Sequence, residues 1–215
     1  MSSSPTAPTS TTASSTSCRS RVDVVACGAL AGHLREIAAR RRWPVSVRSL
    51  PAVLHNRPEK IPSIAERAVV SALATGHRVA LAYADCGSYG ALDGLCSKYG
   101  LTRLSGLHCY DVFAGPSRLE AMFAEEPGTY VLTDFLLRGF DRLVVHSLGL
   151  DRHPQLWTDY FGHYRRLVWL TQGSADPLLA AEAARVAELF GLPLVRVETG
   201  TGRLERELER LVCPC

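Results

Sequence analysis

Lysine is almost missing from this chain. Only two of its 24 basic residues, Lys60 and Lys98, are lysines; the rest are arginines among abundant Ala, Gly and Leu. Against 21 acidic residues the formal net charge is +3, and Arg40-Arg41-Arg42 is the one basic run. This reads as the composition of a GC-rich coding sequence with a solvated helix end, not as a phosphate-binding face. Aromatics are scarce as well, at 7%, which argues against a stacking platform for single strands. Nucleic acid is not an expected partner. No run approaches the ~18 consecutive apolar residues of a membrane span, so no membrane is expected either. Also absent are a P-loop, G-x-G-x-x-G, G-x-S-x-G and H-E-x-x-H. Walker-type nucleotide hydrolysis, the usual dinucleotide fingerprint and elbow-type serine hydrolysis fall away with them.

What is present is 47% apolar and 21% charged over 215 residues, enough to bury a core without staples. Residues 2–17 hold only Ser, Thr, Pro and Ala. They offer neither the basic nor the apolar region of an export signal, and they cannot bury enough surface to offset their ordering entropy. Residues 1–20 are therefore expected to be a disordered tail. Seven cysteines, an odd and widely spaced set, do not form a disulfide framework in a chain of this size. A reducing, cytoplasmic compartment is expected, where thiols stay free to bind metal.

From residue 21 onward, β-branched runs alternate with amphipathic stretches. Strands are expected at 22–26, 45–50, 78–84, 101–107, 129–133, 167–171 and 194–197. Helices are expected at 30–42, 58–74, 87–98, 117–124, 177–190 and 203–211, with a helix-rich stretch up to residue 164. The alternation predicts an α/β protein: an open, mostly parallel sheet with helices on both faces. One domain would span 21–212, with a Cys-Pro-Cys tail at 213–215. In such sheets the site lies at the carboxyl ends of strands.

Three cysteines take equivalent places there. Cys27 follows the first strand in Ala26-Cys27-Gly28, Cys86 the third in Asp85-Cys86-Gly87, and Cys109 the fourth in Leu107-His108-Cys109. Helix N-termini favour the thiolate, the form that binds metal. Three thiolates from three strands would leave one coordination position open, as catalysis at Zn²⁺ or a [4Fe–4S] cluster requires. A cysteine on its own is more often plain core, and Cys96, mid-helix, reads that way. His55, in the loop after the second strand, is a candidate fourth ligand or general acid/base. Arg57 and Lys60 beside it could clamp an anionic group, or could simply be a solvated helix start. Asp85 is a candidate to orient a ligand or assist catalysis, with a plain cap as the alternative. Tyr110 is a candidate substrate contact. His108 ranks below His55, because in an extended segment it points away from Cys109.

Several blocks resemble one family in the family's own order. They include Cys27-Gly28-Ala29-Leu30, the segment from Leu54-His55-Asn56-Arg57 to Lys60-Ile61-Pro62, Asp85-Cys86-Gly87, and Gly106-Leu107-His108-Cys109-Tyr110. Glu126-Pro127-Gly128-Thr129, Leu148-Gly149-Leu150-Asp151 and Tyr160-Phe161-Gly162-His163 continue the series. Over residues 22–197 the chain resembles DUF1638, a domain family of unknown function. The resemblance implicates Cys27, His55, Cys86 and Cys109, and implies a corrinoid or methyl-transfer protein as a partner. The expectation is thus a metal-dependent transferase or lyase with Cys27, Cys86 and Cys109 as ligands and His55 and Asp85 assisting. It would act on a small anionic or thiol substrate in one-carbon or sulfur transfer. Two alternatives stay open: a metal- or cofactor-handling accessory protein, and a metal-free enzyme with a cysteine nucleophile.

Overall fold

A computed structural model describes residues 20–173 and 176–213. The expected tail lies outside these residues except for residue 20, as do Cys18 and the Pro214-Cys215 end.

The chain opens with β1 (Val22–Cys27), every residue of which is buried. A short strand covered on both faces reads as a continuous apolar run. It leads into α1 (Gly28–Arg41), whose Leu30, Leu34, Ile37 and Ala38 turn to the core. Then come β2 (Val45–Leu50), two 3₁₀ turns at Ala52–Asn56 and Pro58–Lys60, and α2 (Ile61–Leu73). The first half continues with β3 (Arg78–Ala82), α3 (Ala91–Tyr99) and the single turn α4 (Asp111–Ala114). The second half holds α5 (Pro116–Glu125), β4 (Thr129–Thr133), α6 (Asp134–Arg138), a π-helical turn at Asp141–His146, and α7 (Trp157–Phe161). It closes with β5 (Arg166–Thr171), α8 (Pro177–Phe190) and β6 (Leu194–Glu198). The final helix, α9 (Gly202–Val212), runs back to the first half. There it packs its buried Leu204, Leu208, Leu211 and Val212 near α1, α4 and β3.

The class is open α/β, and all strand pairing is parallel. The strands are divided between two three-stranded sheets, ordered β2-β1-β3 and β4-β5-β6. Each half has its own apolar cluster, and a smaller one forms where α5 covers the second sheet through Leu119, Val131, Val168 and Leu170. In the first sheet the chain leaves β1 for β2, then crosses back to place β3 on the other side. The gap between β1 and β3 is therefore a topological switch point, the usual location of a ligand crevice. No described helix is long and apolar enough to cross a membrane.

One expected strand is corrected. Residues 101–107 do not form a strand; they meet β3 only through the isolated bridge of Leu81 with Arg103. Only Leu104 in that stretch is buried. The Arg103 guanidinium is drawn off to Asp93, at 2.6 and 2.9 Å, and Gly106 turns the chain at φ +103°. The helix expected from residue 87 begins instead at Ala91, because the Asp85 carboxylate gathers the preceding turn. It accepts from the Ser88 hydroxyl (2.8 Å) and from the N–H groups of Tyr89 (3.1 Å) and Gly90 (2.9 Å).

Candidate metal centre

Cys27 ends β1 and stands at the N-cap of α1, fully buried. The residue after it has to be small. A Cβ on Gly28 would lie 2.6 Å from the Leu50 carbonyl oxygen and 3.1 Å from the Ala52 nitrogen. This close approach seats the 3₁₀ turn after β2 against the start of α1, and His55 rides on that turn.

Cys86 follows β3 in an unusual conformation, at φ +49°. Non-glycine residues seldom occupy this region, and those that do often sit at functional sites. The turn is tied to the Cys109 loop by two backbone hydrogen bonds, Asp85 N–H to the Gly106 carbonyl (3.1 Å) and Cys86 N–H to the Leu107 carbonyl (2.8 Å). The Cys109 loop is held in turn by the buried Asp111 carboxylate, which accepts from the N–H groups of Leu107 (2.6 Å) and His108 (2.9 Å). Cys109 thus sits in a turn, not at the end of a strand.

The four groups meet. The Cys86 and Cys109 sulfurs are 3.1 Å apart. His55 Nε2 lies 3.9 Å from Cys27 Sγ and 3.8 Å from Cys109 Sγ. One ligand atom each from Cys27, His55 and Cys109 fall within 4.8 Å of one another. The tightest three-point set therefore contains His55 where the sequence suggested Cys86, and Cys86 stands directly against Cys109. His55 Nδ1 is 2.9 Å from the Ala52 carbonyl oxygen. A carbonyl only accepts, so Nδ1 carries a hydrogen and Nε2 is the nitrogen that faces the sulfurs and would meet a metal on losing its own proton.

The cluster polarises itself. Hydrogen bonding with Cys109 holds the Cys27 thiol well below its ordinary value, with help from His55. Cys86 is brought down to about 6, first by Cys109 and then by His55. Cys109 moves the opposite way, because it donates to Cys27 and Cys86 and is fully enclosed. Burial alone would lower His55, but hydrogen bonds with Cys27 and Cys86 raise it to about 11. Tyr83 is fully buried, and its hydroxyl is turned to the Cys27 sulfur. Burial first, and then the neighbouring Cys27 and Cys109, push its pKa up. Its ring lies nearly parallel to that of His55, 6.3 Å away and 16° off parallel. An O–H donor beside a thiolate is the kind of outer partner that orients metal-bound sulfur. The donor set of soft sulfur plus imidazole fits Zn²⁺.

His55 and Cys109 also form part of the wall of a cleft of ≈ 220 Å³ between the two halves of the chain. Tyr110 lines it too, its phenol pushed up by burial. Arg57 and Lys60 do not line the cleft; their side chains are exposed and make no ion pair among the described residues. Asp85, with its carboxylate engaged by the 88–90 turn, positions the Cys86 loop. His108 is exposed and stacks on Tyr110 at 5.2 Å, apart from the sulfurs. The sequence reading missed the second-half walls of the cleft, Tyr130, Phe135 and Leu143 among them. Nothing local marks them, since their role arises when the second sheet docks on the first.

Strand order and donor set together define an open α/β protein whose sulfur and imidazole groups gather at a topological switch point. The chain belongs to the DUF1638 family: that family's model, described as a protein of unknown function, matches residues 49–208. The matched range takes in His55, Cys86 and Cys109 and begins after Cys27. No curated protein and no solved structure matches the chain.

Proposed function

We propose that the protein is a mononuclear metal enzyme in which Cys27, His55 and Cys109 hold Zn²⁺ and the fourth position opens on the cleft. The observation that carries this reading is the spacing of the three donors. Zn–S and Zn–N bonds of ~2.3 and ~2.0 Å in a tetrahedron put neighbouring ligand atoms about 3.5–3.8 Å apart. The sulfur–nitrogen separations here are 3.9 and 3.8 Å. A four-iron cube keeps its cysteine sulfurs on separate irons, so Cys86 and Cys109, 3.1 Å apart as hydrogen-bonded thiols, would have to part to hold one. A single ion is favoured over a cluster.

Zn²⁺ in such a site acts as a Lewis acid and lowers the pKa of a bound thiol or water. That chemistry would suit a one-carbon or sulfur transfer in which a substrate thiol loses its proton, takes the group from its carrier and leaves the carrier as the displaced group, with a methyl-transfer protein as a candidate partner. The Cys27–His55 pair would equally suit a metal-free thiolate nucleophile, but the full burial of Cys27 keeps an electrophile from it.

The test is metal analysis of protein purified without oxygen, alongside Cys27→Ser, Cys109→Ser and Cys86→Ser. About one zinc per chain, lost in the first two variants with the far-ultraviolet dichroism unchanged, supports the reading. Undiminished zinc in Cys109→Ser would overturn it, as would a wild-type chain that takes up no Zn²⁺ from a chromophoric chelator. Iron and sulfide in stoichiometric amount would replace it with a cluster.

A further inference from the structure

The cleft beside the cluster has a chemical character of its own. Its walls come from both halves: Ala29 and Leu30 at the start of α1, and Phe113 of α4, face Val131 of β4, Leu136 of α6 and Val144 of the π-helical turn. Among the described residues, no aspartate, glutamate, lysine or arginine lines it. Two of the few polar side chains in the wall already have partners. Asn56 Nδ2 donates to the Ser147 hydroxyl at 2.7 Å, and Thr133 Oγ1 accepts from the Leu136 N–H at 3.3 Å. The thiol and imidazole of the wall stand at one end, formed by Cys109 and His55, and the Tyr110 and Tyr130 phenols are its other polar groups.

A charged group moved from water into such a space, away from the end formed by His55 and Cys109, meets no counter-charge among the lining residues and costs several kcal/mol. A neutral apolar body gains about 25 cal/mol for each Å² removed from water. Size sets the second limit. At ~20 Å³ per close-packed non-hydrogen atom, a cleft of ≈ 220 Å³ holds about ten.

We infer that this cleft binds a neutral molecule of about ten non-hydrogen atoms, with an aromatic or branched aliphatic body and a thiol directed at Cys109 and His55. The thiol end rests on the zinc reading above, whereas the neutral body rests on the walls alone. Of the anionic and thiol substrates expected from the sequence, this inference takes the thiol.

Calorimetric titration with three probes separates the two parts. The probes are phenylmethanethiol, toluene and the anionic thiol 3-mercaptopropionate, each added to zinc-loaded and to metal-free protein. On zinc-loaded protein, phenylmethanethiol is expected to bind at least tenfold tighter than 3-mercaptopropionate and tighter than toluene. Toluene is expected to bind both forms alike. Val53→Trp, at a lining position 43% exposed and so tolerant of a larger side chain, should weaken both neutral probes at least tenfold with zinc content unchanged. Leu143→Trp is the second blocking variant, on the opposite wall. Equal or tighter binding of 3-mercaptopropionate would overturn the inference. So would neutral probes that fail to bind, or that bind undiminished to both tryptophan variants. Failure of the zinc reading looks different: the chain takes up no metal and phenylmethanethiol binds no better than toluene, while toluene still binds and both variants still block it. That result removes the thiol end and leaves the neutral body standing.

Discussion

His55 is oriented by Ala52: its Nδ1–H donates to the Ala52 carbonyl at 2.9 Å, three residues back in the same 3₁₀ turn. Backbone and side chain of one short turn therefore fix which imidazole nitrogen meets the sulfurs. Loss of an outer partner typically costs a metal site roughly 10–100-fold in affinity, and loss of a ligand costs more. Zinc affinity is expected to fall by more than about 100-fold in His55→Ala, measured by competition with a chelator. An affinity within about threefold of wild type would remove His55 from the ligand set.

Two glycines of α1 should respond to alanine in opposite directions. At Gly28 the added Cβ would meet the Leu50 carbonyl oxygen at 2.6 Å, so the turn carrying His55 must retreat. Gly28→Ala is expected to lose both stability and zinc affinity. At Gly32 a Cβ has nothing within 4 Å, and helix propensity alone should make Gly32→Ala more stable by about 0.5–1 kcal/mol. Urea unfolding of the two variants checks the pair.

Asp111 tests whether loop order and metal affinity are linked. Its carboxylate holds two N–H groups of the Cys109 loop, and Gly106 packs so closely on it that a Cβ there would come within 2.7 Å. Hydrogen bonds to a charged acceptor contribute about 1.5–3 kcal/mol. Asp111→Ala should lose an amount in that range and bind zinc more weakly, and Asp111→Asn should recover part of both. Zinc affinity unchanged in a destabilised Asp111→Ala would separate the loop from the site.

Asp23 sets an acid-side dependence far from the cluster. Burial alone would raise its carboxyl, but the Thr75 hydroxyl at 2.8 Å and His77 at 3.3 Å hold it below its ordinary value of 3.8. A carboxylate with a depressed pKa in the folded state contributes stability above the unfolded value and loses it as pH falls through the folded one. Asp23→Asn should therefore be less stable than wild type at pH 7, by about 1–3 kcal/mol. The gap should narrow as pH drops below 3.8. A gap that is constant with pH in urea unfolding would contradict this.

In the second half, Asp134 joins β4 to the end of β5. It accepts from Trp169 Nε1 at 2.8 Å and from the N–H groups of Gln172 and Gly173, each at 3.0 Å. Removing a carboxylate that satisfies three donors, those of Trp169 and Gln172 buried, leaves them unpaired. Asp134→Ala should cost about 3 kcal/mol or more and shift the Trp169 fluorescence, with little effect on zinc affinity.

Much of the fold was written locally. The valine-rich strand Val22–Cys27, with Asp23 its one charged residue, the amphipathic faces of α1 and α8 and the strand Thr129–Thr133 follow from residue type and side-chain period, which depend only on near neighbours. The same local logic put Cys27, His55, Cys86 and Cys109 near carboxyl ends of strands or in the turns beyond them. It failed at residues 101–107, where Leu101, Leu104 and Leu107 fall three apart instead of two and the stretch makes only one bridge to β3.

Strand order lay beyond that reach. Periodicity states that a segment is a strand but not which strand it pairs with, so the division into two sheets emerged only in the tertiary structure. The same holds for the exchange of His55 for Cys86 in the tightest donor set, which depends on Gly28 admitting the turn after β2. The neutral walls of the cleft are decided last, because they come from segments more than 80 residues apart, such as Val53 and Leu143. Residue chemistry fixed what could bind a metal; long-range packing, which no local pattern encodes, decided which groups meet and what substrate space they face.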